Sequence, residues 1–326
     1  MSSTVKVAIH ESQFPENVRR DLLESLRTRR VNHKFHYDSV KQTNKWLALH
    51  QKYSPSCNDA DCAVTYDRAF ANAVRRIKAR TVHIVGLGCG GGQKDTRLLR
   101  LLKARGKVIS YTPSDVSVAM TLVADQAAHV VVSRANCFPL VCDLVTAGDL
   151  PLVLSKSCPP QRVRLVTFFG MIPNFEPRDI LPKLAKLIRR QDSLLFSANL
   201  APGADYAAGM ASILPQYDNG PTREWLLTFL LDLGVERGDG ELRFGIERGT
   251  NALRRVVARF EFKRQRRVAV DGKLFAFRRG DNVRLFFSYR YTPELVQKHL
   301  ARHGISVCDQ WITQSGEEGV FLCQRQ

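Results

Sequence analysis

Residues 81–115 read TVHIVGLGCGGGQKDTRLLRLLKARGKVISYTPSD and decide the fold. Residues 81–85 have the length and composition of a buried strand, and five glycines follow at once between positions 86 and 92. Glycine lets the backbone approach a ligand closely, and the helix that follows presents unpaired amides to it. Asp115 ends the next strand, where a carboxylate can hold ribose hydroxyls. The stretch therefore predicts a nucleotide-binding strand–loop–helix–strand unit.

This unit alone does not select a cofactor. NAD and S-adenosylmethionine both present an adenosine ribose to the acid after the second strand, so a nicotinamide-dependent oxidoreductase stays an alternative. A tight turn without a ligand is the least favoured explanation, because strand, glycines, helix, second strand and acid follow one another in order. The sequence lacks G-K-[ST], which excludes a Walker phosphate loop.

Apolar and helical segments alternate through most of the chain. After the second strand we expect helices at residues 116–128 and 178–190 and strands at residues 129–133, 162–169 and 193–198. Such alternation is typical of an α/β fold with a mostly parallel sheet.

The pattern changes between residues 202 and 291. A helix is expected at residues 222–233, and residues 251–290 then interleave basic residues with phenylalanines, which suits an antiparallel sheet with one solvated face. Beyond residue 291 the first pattern returns with a helix and two strands, ISVCDQWI and GVFLCQ. We therefore predict a Rossmann-like sheet that is interrupted by an insertion and ends in an antiparallel hairpin.

Composition narrows the class of protein. The 326 residues are 44% hydrophobic, and no apolar run approaches the roughly 20 residues of a membrane helix. The N-terminus lacks a secretory signal, so we expect a cytoplasmic protein, a monomer, whose eight cysteines are thiols. No C-x-x-C is present, and no metal is expected. The net charge of +18 suits an anionic partner such as RNA, or simply a solvated basic surface.

Three features favour a methyltransferase over an oxidoreductase. They are the terminal hairpin, Asp143 after the third strand, and FFGMIPNFEP after the fourth strand. In a methyltransferase the third-strand acid can accept a hydrogen bond from the adenine amino group, and the loop after strand four faces the methyl group. By residue type alone, a helix cap explains Asp143 equally well.

Seven motifs follow one another in order along the chain: KFHYDS (34–39), KYSPS (52–56), GLGCGGGQKDTRLL (86–99), YTPSDVS (111–117), LVCDL (140–144), FFGMIPNFEP (168–177) and ILPQYD (213–218). In this order and spacing they resemble the histidine-specific methyltransferases, which include the ergothioneine-pathway enzyme. The resemblance implies a class I methyltransferase sheet in residues 61–202 and 291–326. It also implies a mixed α+β substrate-binding domain, which is assembled from residues 1–60 and from residues 203–290, an insertion after strand five.

The resemblance also implies roles for individual residues. Asp115 would contact the ribose of S-adenosylmethionine, Asp143 its adenine, and Asn174 the amino and carboxylate end of a small amino substrate. The other residues that it assigns are Gly88, Lys94, Tyr53 and Leu144 for the cofactor, and Tyr37, Tyr217, Phe286 and Ser288 for the substrate. Asn174, Tyr37 and Tyr217 would orient the reacting nitrogen. Without the resemblance, packing and helix capping would explain the two tyrosines.

Three departures from the family pattern bear on specificity. Leu144 replaces an aromatic residue, and Gly86 replaces the acid that usually precedes the glycine loop. Phe286 stands where the family has an acid that recognises imidazole together with the residue matching Ser288. A phenyl ring cannot accept the imidazole N–H bond, which costs about 1–3 kcal/mol in a closed pocket. An aromatic or aliphatic amino compound therefore suits this pocket better than histidine.

Two further alternatives stay open. The basic composition would suit an RNA or protein methyltransferase, although the D/N-P-P-[YF] sequence that acts on nucleobase amines is absent. A non-catalytic relative that retains the cofactor fold would explain the altered residue at Phe286.

Overall fold

The strand that leads into the glycines lies inside an eight-stranded sheet. In the computed structural model, which describes residues 4–54, 58–158 and 162–326, this strand is β2 (Thr81–Leu87) and is buried beyond its first residue. Its parallel neighbours are β3 (Val108–Asp115) and β5 (Val163–Phe168). The predicted nucleotide-binding unit therefore occupies the interior of the sheet.

The strand order of the large sheet is β1-β4-β3-β2-β5-β6-β13-β12. The pairs from β1 to β6 are parallel, whereas β13 pairs antiparallel with both β6 and β12. The strands not yet given are β1 (Ala8–Ile9), β4 (Leu140–Val141), β6 (Ser193–Asn199), β12 (Ile305–Ile312) and β13 (Glu318–Arg325). This order confirms the Rossmann-like class I methyltransferase sheet with a terminal antiparallel hairpin.

Helices lie between the strands along most of the chain. They are α1 (Pro15–Thr28), α2 (Val40–Tyr53), α3 (Ala60–Arg76), α4 (Gln93–Ala104), α5 (Val118–Ala128), α6 (Leu150–Ser157), α7 (Pro177–Leu187), α8 (Tyr206–Tyr217), α9 (Gly220–Asp232) and α10 (Pro293–Ala301). Along β2, Val82 and Ile84 pack with α3 and α4, while Val85 and Leu87 pack with α6, α7 and α10. Side chains alternate between the faces of a strand, so a continuous apolar run is needed where both faces are covered.

The prediction of a strand at residues 129–133 is wrong. The amides of Val131 and Val132 both donate to the Ala128 carbonyl at 2.9 Å, so the chain turns at the end of α5 instead of extending. Val131 and Val132 are buried against the sheet, while Val130 is exposed. The apolar run thus reflects packing of a helix end, and the two-residue β4 takes the place of the third strand.

The arginine-rich segment contributes to a second, three-stranded sheet and to a separate two-stranded sheet. β7 (Gly240–Arg248), β8 (Arg254–Phe262) and β11 (Asn282–Arg290) form an antiparallel sheet, and β9 (Arg266–Val270) pairs with β10 (Lys273–Phe277). The predicted antiparallel meander is confirmed, whereas α8 was not predicted.

An apolar cluster joins this second sheet to α1 and α9. It includes Leu26, Trp225, Phe229, Phe260 and Phe286. These residues lie within the two ranges predicted for a substrate-binding domain, although β1, in the first of those ranges, pairs with β4 of the large sheet. The division into domains stays a prediction. Within the described residues, no helix is long and apolar enough to cross a membrane.

Candidate active site

A cavity of about 1080 Å³ opens at the carboxyl ends of β2, β3 and β5. Ligands of open α/β sheets bind outside this edge. Every residue singled out from the sequence lines this cavity: Tyr37, Tyr53, Gly88, Lys94, Asp115, Asp143, Leu144, Asn174, Tyr217, Phe286 and Ser288. The structure therefore brings together residues that are up to 251 positions apart in the chain.

The glycine loop needs glycine for two separate reasons. Gly88 has a φ of 57°, in the left-handed region, and a Cβ there would lie 2.7 Å from Met171 Cγ. Gly92 has a φ of 73° at the start of α4, where a Cβ would lie 2.7 Å from Ala124 Cα. The loop therefore packs between α5 on one side and the segment that follows β5 on the other. Its backbone forms part of the cavity wall.

Asp115 fixes the loop to the end of β3. Its Oδ2 accepts a hydrogen bond from the Gly90 amide at 3.1 Å, and its Oδ1 accepts one from the Ser117 amide at 3.0 Å. Burial raises the pKa of the Asp115 carboxyl above its ordinary value. The carboxyl group is therefore held rigidly where an adenosine ribose would meet it.

Asp143 carries an acceptor that the described residues leave unpaired. Its Oδ1 accepts from the Val145 amide at 2.9 Å, whereas its buried Oδ2 has no hydrogen-bond partner in the described parts of the chain. The Lys34 ammonium is 3.6 Å from Oδ2, which compensates the charge but is too distant for a hydrogen bond. A buried unpaired acceptor costs about 1–3 kcal/mol. A donor such as the adenine amino group would satisfy it, so the site fits the cofactor implied by the sequence.

Lys94, which lines the cavity, belongs to a small charged cluster. Its Nζ donates to the Tyr66 hydroxyl at 2.9 Å and lies 4.3 Å from the centre of the Tyr66 ring. The Tyr66 hydroxyl in turn donates to the Glu318 carboxylate, and Glu318 also lines the cavity. Burial raises the pKa of Tyr66 well above its ordinary value, so it stays neutral beside the two charges. The sequence analysis missed Tyr66 and Glu318, which are 252 positions apart.

Asp95 brings a carboxyl group close to position 86, where the sequence lacks the acid of the family pattern. A Cβ on Gly86 would overlap the Asp95 carboxylate, whose Oδ2 accepts from the Tyr111 hydroxyl and whose Oδ1 accepts from Thr167 Oγ1, both at 2.7 Å. Asp95 is 3% exposed, and burial raises its pKa to about 6. A carboxyl group therefore lies under the glycine loop although it comes from α4 rather than from β2.

Aromatic residues form the end of the cavity that was predicted for the substrate. The Phe286 ring lies 6.0 Å from Trp225 and 6.1 Å from Tyr217, between ring centroids, and the Tyr217 hydroxyl donates to Ser288 Oγ at 3.1 Å. Tyr37 packs edge-on against Trp225 at 5.5 Å, and burial raises its hydroxyl pKa above the ordinary value. Aromatic rings and a few hydroxyl groups line this end, and the Arg290 side chain also faces it.

Asn174 and Tyr53 also line the cavity, and they differ in their exposure to solvent. Asn174 ends a short turn, Ile172–Asn174, and in the described residues its side-chain amide makes no hydrogen bond. Tyr53 ends α2 and is 44% exposed, so it lies at the rim of the cavity. Two histidines also line the wall, His33 and His50, and burial lowers the pKa of each to about 4. Both imidazoles are neutral near pH 7.

Comparison with known proteins gives a family match along nearly the whole chain. The family described as histidine-specific methyltransferase, SAM-dependent, matches residues 18–325. The N-methyltransferase imqF of Aspergillus flavus is 22% identical over 279 residues, which are 84% of this chain and 74% of that protein.

Two solved methyltransferase structures are also similar to this chain. The CcbJ methyltransferase from Streptomyces caelestis is 12% identical, with a TM-score of 0.40 over 80% of this chain and 95% of the other. The 1,6-didemethyltoxoflavin-N1-methyltransferase of Burkholderia thailandensis, solved with 1,6-didemethyltoxoflavin and S-adenosylhomocysteine, is 11% identical, with a TM-score of 0.39 over 87% and 90% of the two chains.

Proposed function

Because this chain belongs to the histidine-specific, S-adenosylmethionine-dependent methyltransferase family, we propose that it methylates the amino group of a small amino acid or a related amine. The observation that carries the proposal is the side-chain amide of Asn174, which makes no hydrogen bond in the described residues and borders the cavity that the glycine loop also lines. The Aspergillus flavus relative, named as an N-methyltransferase, agrees with nitrogen as the acceptor.

In this proposal the cofactor occupies the end of the cavity next to the glycine loop. Asp115 would hold the ribose hydroxyls and Asp143 Oδ2 would accept from the adenine amino group. Gly88 would bring the backbone close to the cofactor, with Leu144 beside the adenine and Lys94 near its amino acid end. Bound S-adenosylmethionine supplies an electrophilic methyl group. These assignments are supported by the unpaired Oδ2 of Asp143 and by the glycines of the loop, which leave its backbone accessible at Gly88, Gly90 and Gly91.

The substrate would enter past Tyr53 and present a neutral nitrogen to the methyl group. Asn174 would orient this nitrogen through its side-chain amide, with Tyr37 and Tyr217 closing the pocket around it. Tight positioning of two reactants supplies roughly 7–11 kcal/mol, so no strong base is required. With pKa values of about 4, His33 and His50 are weak bases, and solvent is the simpler acceptor of the proton.

The rings around Phe286 favour an apolar or aromatic side chain on the substrate. An imidazole N–H directed at Phe286 would lose its hydrogen bond, at a cost of about 1–3 kcal/mol. Ser288 alone supplies only part of the family's pair, and its hydroxyl also accepts a hydrogen bond from Tyr217 at 3.1 Å. We therefore expect histidine to be a poorer substrate than an aromatic or aliphatic amino compound.

The basic surface gives less support to an RNA substrate. Several arginines of the second sheet are already paired with acids: Arg255 with Glu176, Arg259 with Glu247, and Arg264 and Arg266 with Glu236. Such cations are less available to phosphate groups than unpaired ones.

The proposal is tested by incubating the protein with S-adenosylmethionine and a pool of amino acids and amines, followed by mass spectrometry. We expect one class of amine to gain a methyl group. Asn174→Ala should lose turnover and retain cofactor binding, while Asn136→Ala, outside the cavity, should behave as wild type. Methylation of RNA or protein, with every amine unchanged, would overturn the proposal.

A further inference from the structure

Arg290, the last residue of β11, is a buried cation on the cavity wall. Its side chain is 6% exposed and lines the cavity. Nε donates to the Tyr217 hydroxyl at 3.1 Å, and Nη1 donates to the carbonyls of Leu200 at 3.0 Å and Glu317 at 3.3 Å. All three acceptors are neutral. The Nη2 group, with two N–H donors, has no acceptor in the described parts of the chain.

The charge of Arg290 is also uncompensated. In the described ranges no carboxylate lies within 4.0 Å of its guanidinium. Arg164 is buried to the same degree, but it is paired with Asp192 at 2.6 Å. The cavity acids near Arg290 are engaged elsewhere, because Glu317 accepts from Gln216 and Glu318 accepts from Tyr66. A buried cation without a counterion is costly, and a bound anion would remove that cost.

The position of Arg290 on β11 places it at the substrate end of the cavity. Phe286, Ser288 and Arg290 are two residues apart, so they share one face of the strand, and all three line the cavity. Tyr217 links two of them, since its hydroxyl contacts both Ser288 and Arg290. This end of the pocket therefore has a phenyl ring where the family has an acid, and it has a cation with free donors beside that ring.

We propose that Arg290 binds a carboxylate of the substrate through its Nη2 donors, and that the substrate is therefore an apolar amino compound that carries a carboxylate. This inference rests on the proposed function, since it names the substrate class of the same site. The geometry of a guanidinium suits a carboxylate well, because two N–H groups can point at two oxygens. The carboxylate is either that of an α-amino acid or one on the substrate's side chain.

The binding test uses probes that cannot be methylated on nitrogen, so it is independent of turnover. Calorimetric titration in the presence of S-adenosylhomocysteine compares 3-phenylpropionate with its amide. We expect the carboxylate to bind about 10- to 100-fold more tightly than the amide, which is the range for a charge-assisted hydrogen-bonded pair. Arg290→Gln should abolish this difference, and Arg290→Lys should retain part of it. Arg284→Gln is the matched control, since Arg284 is 8% exposed on the same strand and does not line the cavity.

The turnover test separates the two sources of the carboxylate. A methylated amino acid is compared with its decarboxylated amine and with an analogue that carries a second carboxylate on the side chain. If decarboxylation lowers kcat/KM in wild type but not in Arg290→Gln, Arg290 binds the α-carboxylate. If the second carboxylate raises kcat/KM in wild type and Arg290→Gln removes this gain, Arg290 binds a carboxylate on the side chain. Equal binding of the 3-phenylpropionate pair by wild type, or an unchanged preference in Arg290→Gln, would overturn the inference. Preferential carboxylate binding without methylation of any amine would instead reject the proposed function alone.

Discussion

The carboxylate of Asp95 fills the space that a side chain at Gly86 would need. The backbone of β2 passes so close to Asp95 that even a Cβ at position 86 would overlap Asp95 Oδ2, and it would also lie 3.1 Å from the Tyr111 hydroxyl. A carboxyl group from α4 therefore lies beside position 86, where the family pattern has an acid.

Gly86→Ala and Asp95→Ala should show strong coupling in stability. Gly86→Ala inserts a methyl group into an occupied space, which costs about 1–3 kcal/mol. Asp95→Ala removes the acceptor of two buried hydroxyls, at a similar cost of about 1–3 kcal/mol. Because the second change makes room for the first, the double variant should be more stable than the sum of the two single losses predicts. Denaturant unfolding of the four proteins measures this, and additive losses would contradict the contact.

The raised pKa of Asp95 should appear in the pH dependence of stability. The folded chain holds the proton up to pH about 6, whereas the unfolded chain releases it near 3.8, so the free energy of unfolding falls as pH rises through this interval. The loss amounts to roughly 3 kcal/mol and should be complete above pH 6. Asp95→Asn removes this pH dependence of the free energy of unfolding. The free energies of unfolding of wild type and of Asp95→Asn, measured between pH 4 and 7.5, should therefore be closest at low pH and move apart as pH rises. Parallel pH profiles would reject the assignment.

Asp143→Asn should weaken binding of S-adenosylhomocysteine. The change replaces an acceptor oxygen by a donor and removes the charge opposite Lys34, so the adenine amino group would lose its partner. We expect a decrease in affinity of about 10- to 100-fold by calorimetry. Asp309→Asn is the control, because Asp309 lies outside the cavity and pairs with Arg76 at the surface. An equal effect of both substitutions would show that the role of Asp143 is not specific.

Phe286→Glu should shift selectivity toward histidine. It restores the acid that the family pattern places two residues before Ser288, although the new carboxylate would compete for Arg290. Relative kcat/KM for histidine against an aromatic amino acid should rise about 10-fold or more, since one hydrogen bond to a charged group contributes about 1.5–3 kcal/mol. Phe286→Leu keeps the pocket apolar and should leave histidine disfavoured. The same ratio in both variants would mean that Phe286 does not select the substrate.

The sequence indicated that the glycines, Asp115 and Asp143 meet at one edge of the sheet, because the determinants of their positions are local. The glycines, Asp115 and Asp143 each follow a strand directly, and the carboxyl ends of parallel strands meet at one edge of a sheet. The strand at residues 129–133 was wrong because a buried helix end and a buried strand have the same apolar composition.

The residues that the sequence did not reveal depend on distant contacts. Asp95 resembles an ordinary acid in the first turn of a helix, and only the structure shows its approach to Gly86. Arg290 is one of many basic residues in the second sheet, and nothing in the sequence indicates that it faces the cavity and, within the described residues, has no acid within 4.0 Å. The position of Glu318 in the site is explained by its hydrogen bond with Tyr66, which lies on α3, 252 positions earlier in the chain.

The most direct test of the central claim is to follow a deuterated methyl group from S-adenosylmethionine. The protein is incubated with the labelled cofactor and a pool of amines, and tandem mass spectrometry locates the label in the product. We predict that the label is on the amino nitrogen of a small carboxylate-bearing amine. Label on an oxygen or a carbon, or in RNA or protein, would contradict the account.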